Sequence, residues 1–492
     1  MIHLSAETAA LLIDAGKSSW VQPRDTLVTA KGKGEMQTYW LNIKKREVNH
    51  DPEQPRSSNA QLIDDMSDTK SVSSSRSVED VKMAAQIEKK NRLIDWNVEV
   101  LQSNLKKIIA MRDPSAIRRN GSISRNTKAS GDSSDDPAIS RFDGTTVLDE
   151  VREVITLAAT NENGGYKVDP ETVEMSERVR SQLEDFVTSI AEMYHDNPFH
   201  SFEHASHVTM SVSKLLSRVV TPESIDYNDL AYKKDRDEAK LHEYTYGITS
   251  DPLIQFACTL SALIHDVDHQ GVPNTQLVKE NSDLATLYRG KSVAEQNSVD
   301  LAWDLLMEPT FKDLRDCIYT SQEELERFRQ LVVNSVMATD IVDKELNQLR
   351  KNRWEKAFSS NVVQSADEQR EDVNRKATIV IEHLIQASDV AHTMQHWHVY
   401  VKWNERLFHE MYRAYLTGRS EKNPADFWFD GEIGFFDFYI IPLAKKLKDC
   451  GVFGVSSDEY LNYALANRNE WKSKGKQVVE TYLSKYQNEG EE

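Results

Sequence analysis

The chain has 492 residues, of which 39% are hydrophobic and 28% charged, so it can bury a sizeable core while much of it stays solvated. Its formal net charge of −19 argues against a general nucleic-acid or anionic-membrane binder, and its three cysteines indicate a reducing compartment without a disulfide framework. We expect no signal peptide and no membrane segment, because no apolar run is long enough to span a bilayer. The expected location is the cytoplasm, although a longer parent protein could be anchored in a membrane.

Residues 1–42 predict a small helix and hairpin that cannot bury a core alone. Ser5 can cap a helix over Ala9 to Ile13, and strand-like segments follow from Thr26 to Val28 and from Met36 to Leu41. This region resembles the end of a class III nucleotidyl (adenylate/guanylate) cyclase domain in two segments, Ile2-His3-Leu4-Ser5 and Lys31-Gly32-Lys33-Gly34-Glu35-Met36-Gln37-Thr38-Tyr39-Trp40. The metal-binding carboxylates of such a domain would precede Met1. The resemblance therefore implies the remnant of a cyclase fused to the rest of the chain, without cyclase activity.

A predicted helix lies between two polar segments. Residues 43–77 and 113–140 are rich in serine, proline and charge, which indicates disordered linkers. Between them, residues 78–112 predict a linker helix. Its apolar residues recur in alternating steps of four and three, namely Ile94, Val98, Leu101, Leu105 and Ile108. This seam favours packing onto the following domain, and a homodimer through residues 78–112 is the alternative.

Residues 141–486 predict a single all-α domain. Apolar residues recur at spacings of three and four, proline and glycine are sparse, and no run of alternating strands appears. The clearest predicted helices are Val179 to Met193, Ala205 to Val220, Val293 to Leu306, Leu325 to Met337, Ala377 to Val390 and Val399 to Leu416. Two polar stretches, residues 226–240 and 354–375, interrupt this pattern and predict surface loops or exposed helices.

A cluster of ionisable residues, His265-Asp266-Val267-Asp268-His269, comes directly after an apolar run that predicts a buried helix. Burying such side chains at the end of a core helix is costly unless a metal takes them up. Imidazole nitrogen and carboxylate oxygen both suit Zn²⁺ or another divalent ion. A solvated helix end, with histidines capping carbonyls, is the alternative. The metal interpretation is favoured if further ligands exist elsewhere in the chain.

Such ligands are present on both sides of the cluster. His200 and His204 are four residues apart and share a face of a predicted helix, and Asp389 ends an apolar helix. The set His204, His265, Asp266 and Asp389 forms a mixed nitrogen and oxygen site typical of hydrolytic metals. Its order in the chain resembles that of the HD metal-dependent phosphohydrolases.

Longer motifs make the resemblance more specific. They are His200-x-x-x-His204-Ala205, His265-Asp266-Val267-Asp268-His269-x-Gly271-Val272-x-Asn274, Ser292-Val293-x-Glu295, Ala338-Thr339-Asp340, Ser388-Asp389, and Gly434-Phe435-Phe436-Asp437 leading to Pro442-Leu443. On these motifs, residues 141–486 resemble the catalytic domain of the class I 3′,5′-cyclic-nucleotide phosphodiesterases. The resemblance implies a compact multi-helix HD-type domain that hydrolyses a cyclic nucleotide to the 5′-monophosphate in cyclic-nucleotide signalling.

The resemblance also implies a role for each motif residue. His204, His265, Asp266 and Asp389 would hold Zn²⁺, and Asp266 would bridge to a second ion, Mg²⁺ or Mn²⁺. A hydroxide between the two ions would attack phosphorus, and His200 would protonate the departing 3′ oxygen as general acid. Residues around the ions and the nucleoside would assist: His269, Glu295 and Thr339 would orient waters and ligands, while Phe435, Glu432 and His392 would contact the substrate.

Several positions depart from the family pattern. Phe199-His200-Ser201 replaces the usual Tyr-His-Asn, His207 replaces an Asp, and His392 stands where many members have Asn. Glu432 occupies the place of the glutamine that hydrogen-bonds the purine. An ionised carboxylate offers acceptors only, which matches the adjacent N–H donors of guanine and favours cyclic GMP over cyclic AMP.

Two other function classes remain open from the sequence. Glu432 suggests an HD-type phosphohydrolase that acts on another phosphate ester. A non-catalytic module that senses a nucleotide is the second alternative, against which the intact ligand set argues.

Overall fold

The computed structural model describes residues 78–112, 145–157, 166–219, 245–358, 365–453 and 455–487, and between residues 2 and 41 five short strands with the helical positions Ala9 and Ile13. Its contacts divide the chain into two units, Met1–Ser75 and Arg76–Glu492. The linkers predicted over 43–77 and 113–140 and the polar stretch at 226–240 lie outside the described residues.

The first unit contains two small antiparallel sheets. Their strands are β1 (Ile2–Leu4), β2 (Val21–Pro23), β3 (Val28–Ala30), β4 (Gly34–Met36) and β5 (Tyr39–Leu41). β5 lies between β1 and β2, while β3 and β4 form a separate hairpin with Val28 opposite Met36. The single strand predicted from Met36 to Leu41 is therefore two strands, which pair in different sheets. The structure also adds β1 and β2, which the residue pattern did not indicate.

The second unit is helical over its described residues, and the all-α prediction is confirmed for it. Its α-helices are α1 (Val78–Met111), α2 (Glu177–Glu192), α3 (Phe202–Ser217), α4 (Pro252–Ile264), α5 (Asn274–Lys279), α6 (Asp283–Leu287), α7 (Val293–Met307), α8 (Lys312–Ile318), α9 (Gln322–Met337), α10 (Lys344–Phe358), α11 (Ala366–Asp389), α12 (Trp397–Leu416), α13 (Trp428–Phe435), α14 (Ile441–Asp449) and α15 (Val455–Tyr486). Short 3₁₀ turns are Val147–Glu150, Pro170–Thr172, Pro309–Phe311, Ala391–Met394 and Pro424–Asp426, and a π-helical turn spans Phe436–Ile440. No helix among the described residues is long and apolar enough to cross a membrane.

Helix α4 is the centre of this unit. Asp251 caps its first turn by accepting a hydrogen bond from the Leu253 N–H, and Pro252 occupies the first helical position, where a missing N–H costs nothing. Eleven of its thirteen residues are apolar or small, which suits close packing on all sides of the helix. Twelve of the thirteen are buried. Helices α1, α3, α9 and α11 surround α4. The ionisable cluster after Ile264 therefore begins inside the core.

The apolar seam of α1 is buried within its own chain. Leu101 and Leu105 are fully buried, and Ile94 and Ile108 are nearly so, in contacts with α2, α3 and α4. Two asparagines lie within the same seam. Asn97 donates to the Ser206 hydroxyl of α3 and Asn104 to the Thr259 hydroxyl of α4. Buried polar pairs of this kind favour one register of a helix against its neighbours.

We expect Leu101→Ala to lower the free energy of unfolding by about 2–5 kcal/mol, because it leaves a cavity at a fully buried position. Ile87→Ala, on the 52%-exposed first half of the same helix, is the matched control and should change stability little. Urea titration followed by circular dichroism measures both. Equal effects of the two substitutions would contradict the docking of α1 through this seam.

Candidate metal centre

Three helix ends bring the predicted ligands together. His204 lies in the first turn of α3, where the Ser201 hydroxyl caps the helix by accepting from the His204 N–H. His265 and Asp266 directly follow the last residue of α4, and Asp389 is the last residue of α11. Each ligand is thus attached to a regular element near its end, so the relative positions of the four side chains depend on helix packing.

The four side chains meet around one point. One ligand atom from each of His204, His265 and Asp266 lies within 4.8 Å of the others. Asp389 Oδ1 lies 3.0 Å from His204 Nε2 and 3.4 Å from His265 Nε2. Two imidazole nitrogens and two carboxylates around one point form a donor set suited to a divalent transition metal.

Two buried atoms in this cluster have no hydrogen-bond partner within the described part of the protein and are suited to binding a metal. His265 Nδ1 lies 2.9 Å from the Ala262 carbonyl, while Nε2 faces the two carboxylates of the cluster and is the atom that a metal would take up. Among the described residues, His265 Nε2 and Asp266 Oδ2 are buried without a hydrogen-bond partner, although they are 3.1 Å apart. Buried polar atoms normally have partners, so a cation between these two would satisfy both.

The carboxylates of the cluster are held in the ionised form. Burial raises the pKa of Asp266, but the positive charges of His265 and His200 outweigh burial and leave that pKa well below its ordinary value. Asp389 follows the same pattern, because its close approach to His204 and His265 overcomes its burial and lowers its pKa. Two ionised carboxylates in a buried cluster supply the negative charge that a divalent cation needs.

His200 forms a close pair with Glu410, a residue that the sequence did not indicate. Glu410 Oε1 lies 2.5 Å from His200 Nδ1, while Oε2 accepts the backbone N–H groups of Phe199 and His200. Burial lowers the pKa of His200, but the carboxylates of Glu410, Asp266 and Asp389 outweigh it and raise this pKa to about 9. His200 is therefore cationic at neutral pH, with Nδ1 on Glu410 and Nε2 left for another partner.

The loops on either side of the cluster are tied together. The Asn197 amide donates to both the His200 carbonyl and the His269 carbonyl. Gly271 has a φ of +68°, and a Cβ there would lie 3.1 Å from the Asn197 side-chain oxygen, so both conformation and space favour glycine. The ring of His269 stacks on that of His200 with 3.8 Å between centroids. Burial and the His200 charge lower the pKa of His269 to about 4, which keeps it neutral.

Glu295 and Thr339 are positioned by nearby turns. Burial and the neighbouring Asp340 carboxylate raise the pKa of Glu295 to about 7, and Asp266 adds to this effect, so Glu295 belongs to the same electrostatic cluster. Its Oε2 accepts a 2.9 Å hydrogen bond from Asn274. The Thr339 hydroxyl donates to the Val336 carbonyl at the end of α9.

His392 lies against the ligand histidines. Burial and the charge of His204 lower its pKa to about 3, so its ring is neutral. The Phe199 and Trp403 rings pack around it, with centroids 5.6 and 6.2 Å away. Trp403 also lies 5.6 Å from His204, which places His392 and the metal ligand on one aromatic wall.

Glu432 occupies a polar pocket of its own. The Tyr400 hydroxyl donates to Glu432 Oε2 over 2.6 Å, and Asn404 also hydrogen-bonds this carboxyl group. Because the Asn404 oxygen accepts from the Trp428 indole N–H, the amide of Asn404 is the donor to Glu432. Burial raises the pKa of Glu432 to about 7 against these two hydrogen bonds.

Phe435 connects this pocket to the ligand cluster. Its ring stacks on Tyr439, with 5.4 Å between centroids and 18° between planes. Burial raises the pKa of Tyr439, and the Asp389 carboxylate raises it further. The predicted substrate-contacting residues thus lie in two groups. His392 lies beside the metal ligands, and Glu432 and Phe435 lie together on α13.

The residues that sequence reasoning missed act through the predicted ones. Glu410 and Tyr400 both lie on α12, far along the chain from His200 and on a different helix from Glu432. The one available signal for Glu410 was a charged residue between the apolar Phe408 and Tyr412 of an amphipathic helix. In the structure the Glu410 side chain is 4% exposed. Glutamate is almost never buried to this extent unless it is paired.

Comparison with known proteins assigns a family to this part of the chain. The family model described as 3′,5′-cyclic nucleotide phosphodiesterase matches residues 199–452, which include His200 and the four proposed metal ligands. Among solved structures, the chain is similar to the phosphodiesterase domain of the RhoPDE fusion protein from the choanoflagellate Salpingoeca rosetta. That similarity has a TM-score of 0.47 and 22% identity, and covers 63% of this chain and 86% of the other.

Curated relatives match over a similar region. The dual specificity calcium/calmodulin-dependent 3′,5′-cyclic nucleotide phosphodiesterase 1C of Mus musculus is 25% identical over 285 residues, which are 55% of this chain and 34% of the relative. The probable 3′,5′-cyclic-AMP phosphodiesterase pde-4 of Caenorhabditis elegans is 24% identical over 283 residues, 55% of this chain and 37% of the relative. The matched region thus spans about a third of the length of these relatives.

We expect Glu410→Gln to lower the pKa of His200 from about 9 towards its ordinary 6.5, because the substitution removes the nearest carboxylate charge. At a pH between these values, His200 is protonated in the parent chain and neutral in the variant. Histidine NMR on protein stripped of divalent ions measures the titration. Glu405→Gln, on the same helix but paired with Lys485, is the control. An unchanged His200 titration in the Glu410 variant would contradict the pairing.

Proposed function

Because the chain belongs to the 3′,5′-cyclic nucleotide phosphodiesterase family, we propose that it hydrolyses a 3′,5′-cyclic nucleotide to the 5′-monophosphate. The observation that carries this proposal is the convergence of two imidazoles and two ionised carboxylates beside the cationic His200. The curated relatives are named as phosphodiesterases of cyclic nucleotides, which supports the same substrate class.

The proposed cofactors are two divalent ions, Zn²⁺ held by His204, His265, Asp266 and Asp389, and Mg²⁺ or Mn²⁺ that shares Asp266. The orphaned His265 Nε2 and Asp266 Oδ2 support this assignment. When bound, such ions neutralise phosphate charge and lower the pKa of water to about 7. Asp266 suits a shared position, because a carboxylate has two oxygens and this one is kept ionised by its neighbours.

The proposed general acid is His200. Hydrolysis of a cyclic phosphodiester leaves an alkoxide at the 3′ oxygen, which needs a proton as the P–O bond breaks. His200 carries that proton at neutral pH, and Glu410 holds its Nδ1 side so that Nε2 is the donating atom. Glu410 also fixes the backbone of Phe199 and His200, so one carboxylate sets both the charge and the position of the acid.

His269, Glu295 and Thr339 are proposed to orient water around the second ion. His269 is neutral and can accept or donate, while Glu295, with a pKa of about 7, can accept and release a proton near neutral pH. Asn274 fixes the Glu295 carboxyl group, and the α9 end fixes Thr339. Groups held in this way orient ligands with little loss of entropy.

Base recognition is proposed for Glu432, with Phe435 against the face of the purine and His392 near the nucleoside. The Tyr400 hydroxyl and the Asn404 amide each donate to Glu432, and the lone pairs that these two bonds leave free would accept hydrogen bonds from a ligand. Guanine offers adjacent ring and exocyclic N–H donors, whereas adenine pairs its amine with a ring acceptor. Charge-assisted hydrogen bonds are about twice as strong as neutral ones, so the ionised form favours cyclic GMP.

Assays separate this function from two alternatives, an HD-type phosphohydrolase of another phosphate ester and a non-catalytic nucleotide sensor. A phosphodiesterase hydrolyses cyclic AMP or cyclic GMP to the 5′-monophosphate. Another phosphohydrolase turns over only a simple ester such as an aryl phosphodiester. A sensor binds a cyclic nucleotide without turnover. The absence of cyclic-nucleotide hydrolysis by the metal-loaded chain would overturn the proposal.

We propose a cytoplasmic location, where the three free cysteines, all buried, would stay reduced. The homodimer predicted through residues 78–112 also stays a proposal. Because the seam beyond Ile94 is buried within the chain, pairing of two copies would use the first half of α1, where Met83 and Ile87 are exposed. Sedimentation velocity of the Ile87→Ala protein tests this, since an unchanged dimer would rule out that surface.

We expect Asp266→Ala to remove most bound divalent metal and to abolish hydrolysis, because the substitution deletes the carboxylate that contacts both proposed ions. Elemental analysis and product chromatography measure the two quantities on the same sample. Asp316→Ala, at an exposed residue paired with Lys312, is the control and should retain both. Normal metal content with near-normal turnover in the Asp266 variant would show that the ligand assignment is wrong.

We expect the preference for cyclic GMP over cyclic AMP to increase as pH rises through about 7, because Glu432 is protonated below that pKa and ionised above it. Protonated, it resembles glutamine in offering one donor and one acceptor. Glu432→Gln should relax the preference and remove its dependence on this pKa. The ratio of kcat/KM for the two nucleotides, measured on both sides of pH 7, tests this. A preference for cyclic AMP that the substitution leaves unchanged would exclude the assignment.

A further inference from the structure

The turn that presents Thr339 is held by side chains from two other helices. Arg350 of α10 donates Nη2 to the Met337 carbonyl over 2.8 Å and Nη1 to the Asp340 carbonyl over 3.1 Å. Gln386 of α11 donates to the Ala338 carbonyl over 2.9 Å. The carbonyls on both sides of Thr339 are thus bound, which satisfies acceptors that the end of α9 would otherwise leave without partners.

The Asp340 carboxylate closes the turn from the opposite side. Its Oδ2 accepts a 2.6 Å hydrogen bond from Ser292, and its Oδ1 accepts the N–H groups of Val342 and Asp343. Ser292 adopts a φ of +40°, in the left-handed region, immediately before α7. A strained non-glycine conformation persists only where its surroundings determine it strongly, and the bond to Asp340 is one such determinant.

These contacts connect the turn to the rest of the site. Ser292 lies one helical turn before Glu295, and Gln386 lies one turn before Asp389. Arg350 is different, because α10 carries none of the residues assigned to the site. The side chains that make these contacts are all at most 9% exposed, namely Arg350, Gln386, Asp340 and Ser292. Inside a protein, hydrogen bonds are stronger than in water and a missing partner is more costly.

We propose that Arg350 is a positioning residue for the second divalent ion, acting through Thr339. Its guanidinium binds the Met337 and Asp340 carbonyls, and so fixes the backbone of the turn that carries Thr339. A planar fork can bind both carbonyls at once, whereas the single ammonium of lysine cannot span them in this way. The proposal rests on the function proposed above, which assigns Thr339 to that shell.

Binding of Mn²⁺ to the zinc-loaded full-length chain tests this role without turnover. Electron paramagnetic resonance of free Mn²⁺ gives the dissociation constant, and elemental analysis confirms the zinc content. Substitution of groups that orient metal ligands typically weakens metal affinity by about 10–100-fold. We expect a loss in this range for Arg350→Met and a loss in the same direction for Arg350→Lys, with zinc content unchanged.

Arg353→Met is the matched control. Arg353 lies one turn farther along α10, is fully buried and pairs with Glu382 and the Arg152 carbonyl, so its loss disturbs the fold without touching the turn. Arg353→Met should reduce thermal stability at least as much as Arg350→Met does. Its Mn²⁺ affinity should stay within about threefold of that of the parent chain, which is well below the loss expected when an orienting group is removed. Unchanged Mn²⁺ affinity in Arg350→Met, or an equal loss in both variants, would overturn the proposal.

A double-mutant cycle checks the route of action. If Arg350 acts through Thr339, Arg350→Met should weaken Mn²⁺ binding no further in a Thr339→Val background. Additive losses would show that Arg350 acts elsewhere and would overturn the proposal. These measurements need no substrate, so they remain interpretable if the parent chain does not hydrolyse cyclic nucleotides. That result would overturn the proposed function but not the role of Arg350 in metal binding.

Discussion

The withdrawal of two ionised carboxylates from most of their contact with water, at helix ends, is the constraint on which the rest of the structure depends. Removing a charge from water costs several kcal/mol even after relaxation, so Asp266 and Asp389 require compensating positive charge within a few ångströms. The histidines supply part of it, with Nε2 atoms of His204 and His265 at 3.0 and 3.4 Å from Asp389. His265 Nε2 and Asp266 Oδ2 have no hydrogen-bond partner among the residues that the structure describes, and they mark where a cation would complete the balance.

Helix direction reinforces this balance. Helices α4 and α11 both end at the cluster, and the C-terminus of a helix carries a partial negative charge that favours a cation. Helix α3 begins there and contributes the opposite sign, so two of the three helix ends favour a bound metal. The ordinary way to cap a helix C-terminus, a glycine in the left-handed conformation, is absent from the end of α4, where His265 continues in helical conformation. The end of this helix carries ligands instead of a cap.

Helix α12 links the three parts of the site. Trp403 faces His204 and His392, while Tyr400 and Asn404 on neighbouring turns hold Glu432. Farther along, Glu410 holds His200. The proposed acid, ligand wall and base pocket therefore share one rigid support. A helix maintains such spacings to within a fraction of an ångström more readily than loops do, which suits a site whose groups must act on one small substrate.

The sequence predicted residues whose chemistry is local and missed residues whose importance comes from distant partners. His265 and Asp266 were identifiable because ionisable residues at the end of an apolar run carry an evident cost of burial. Glu410 was not, because one acidic residue on an amphipathic helix normally faces solvent, and only tertiary packing turns it towards His200. In the first unit, the pattern indicated the hairpin that β3 and β4 form but not the pairing of β5 with β1 and β2, because three-residue strands carry too little alternation to specify it.

Helix α1 extends the same reasoning to residues before the motifs. Its seam favoured packing over pairing with a second copy, although an apolar stripe specifies burial and not the identity of the partner. In the structure, the asparagines within the seam bond to helices of the same chain. Asn97 bonds Ser206, two residues after the ligand His204, and Asn104 bonds Thr259 on the helix that ends at His265. A slip of α1 by one turn would break both of these contacts, so the register of α1 is set by the same helices that carry the ligands.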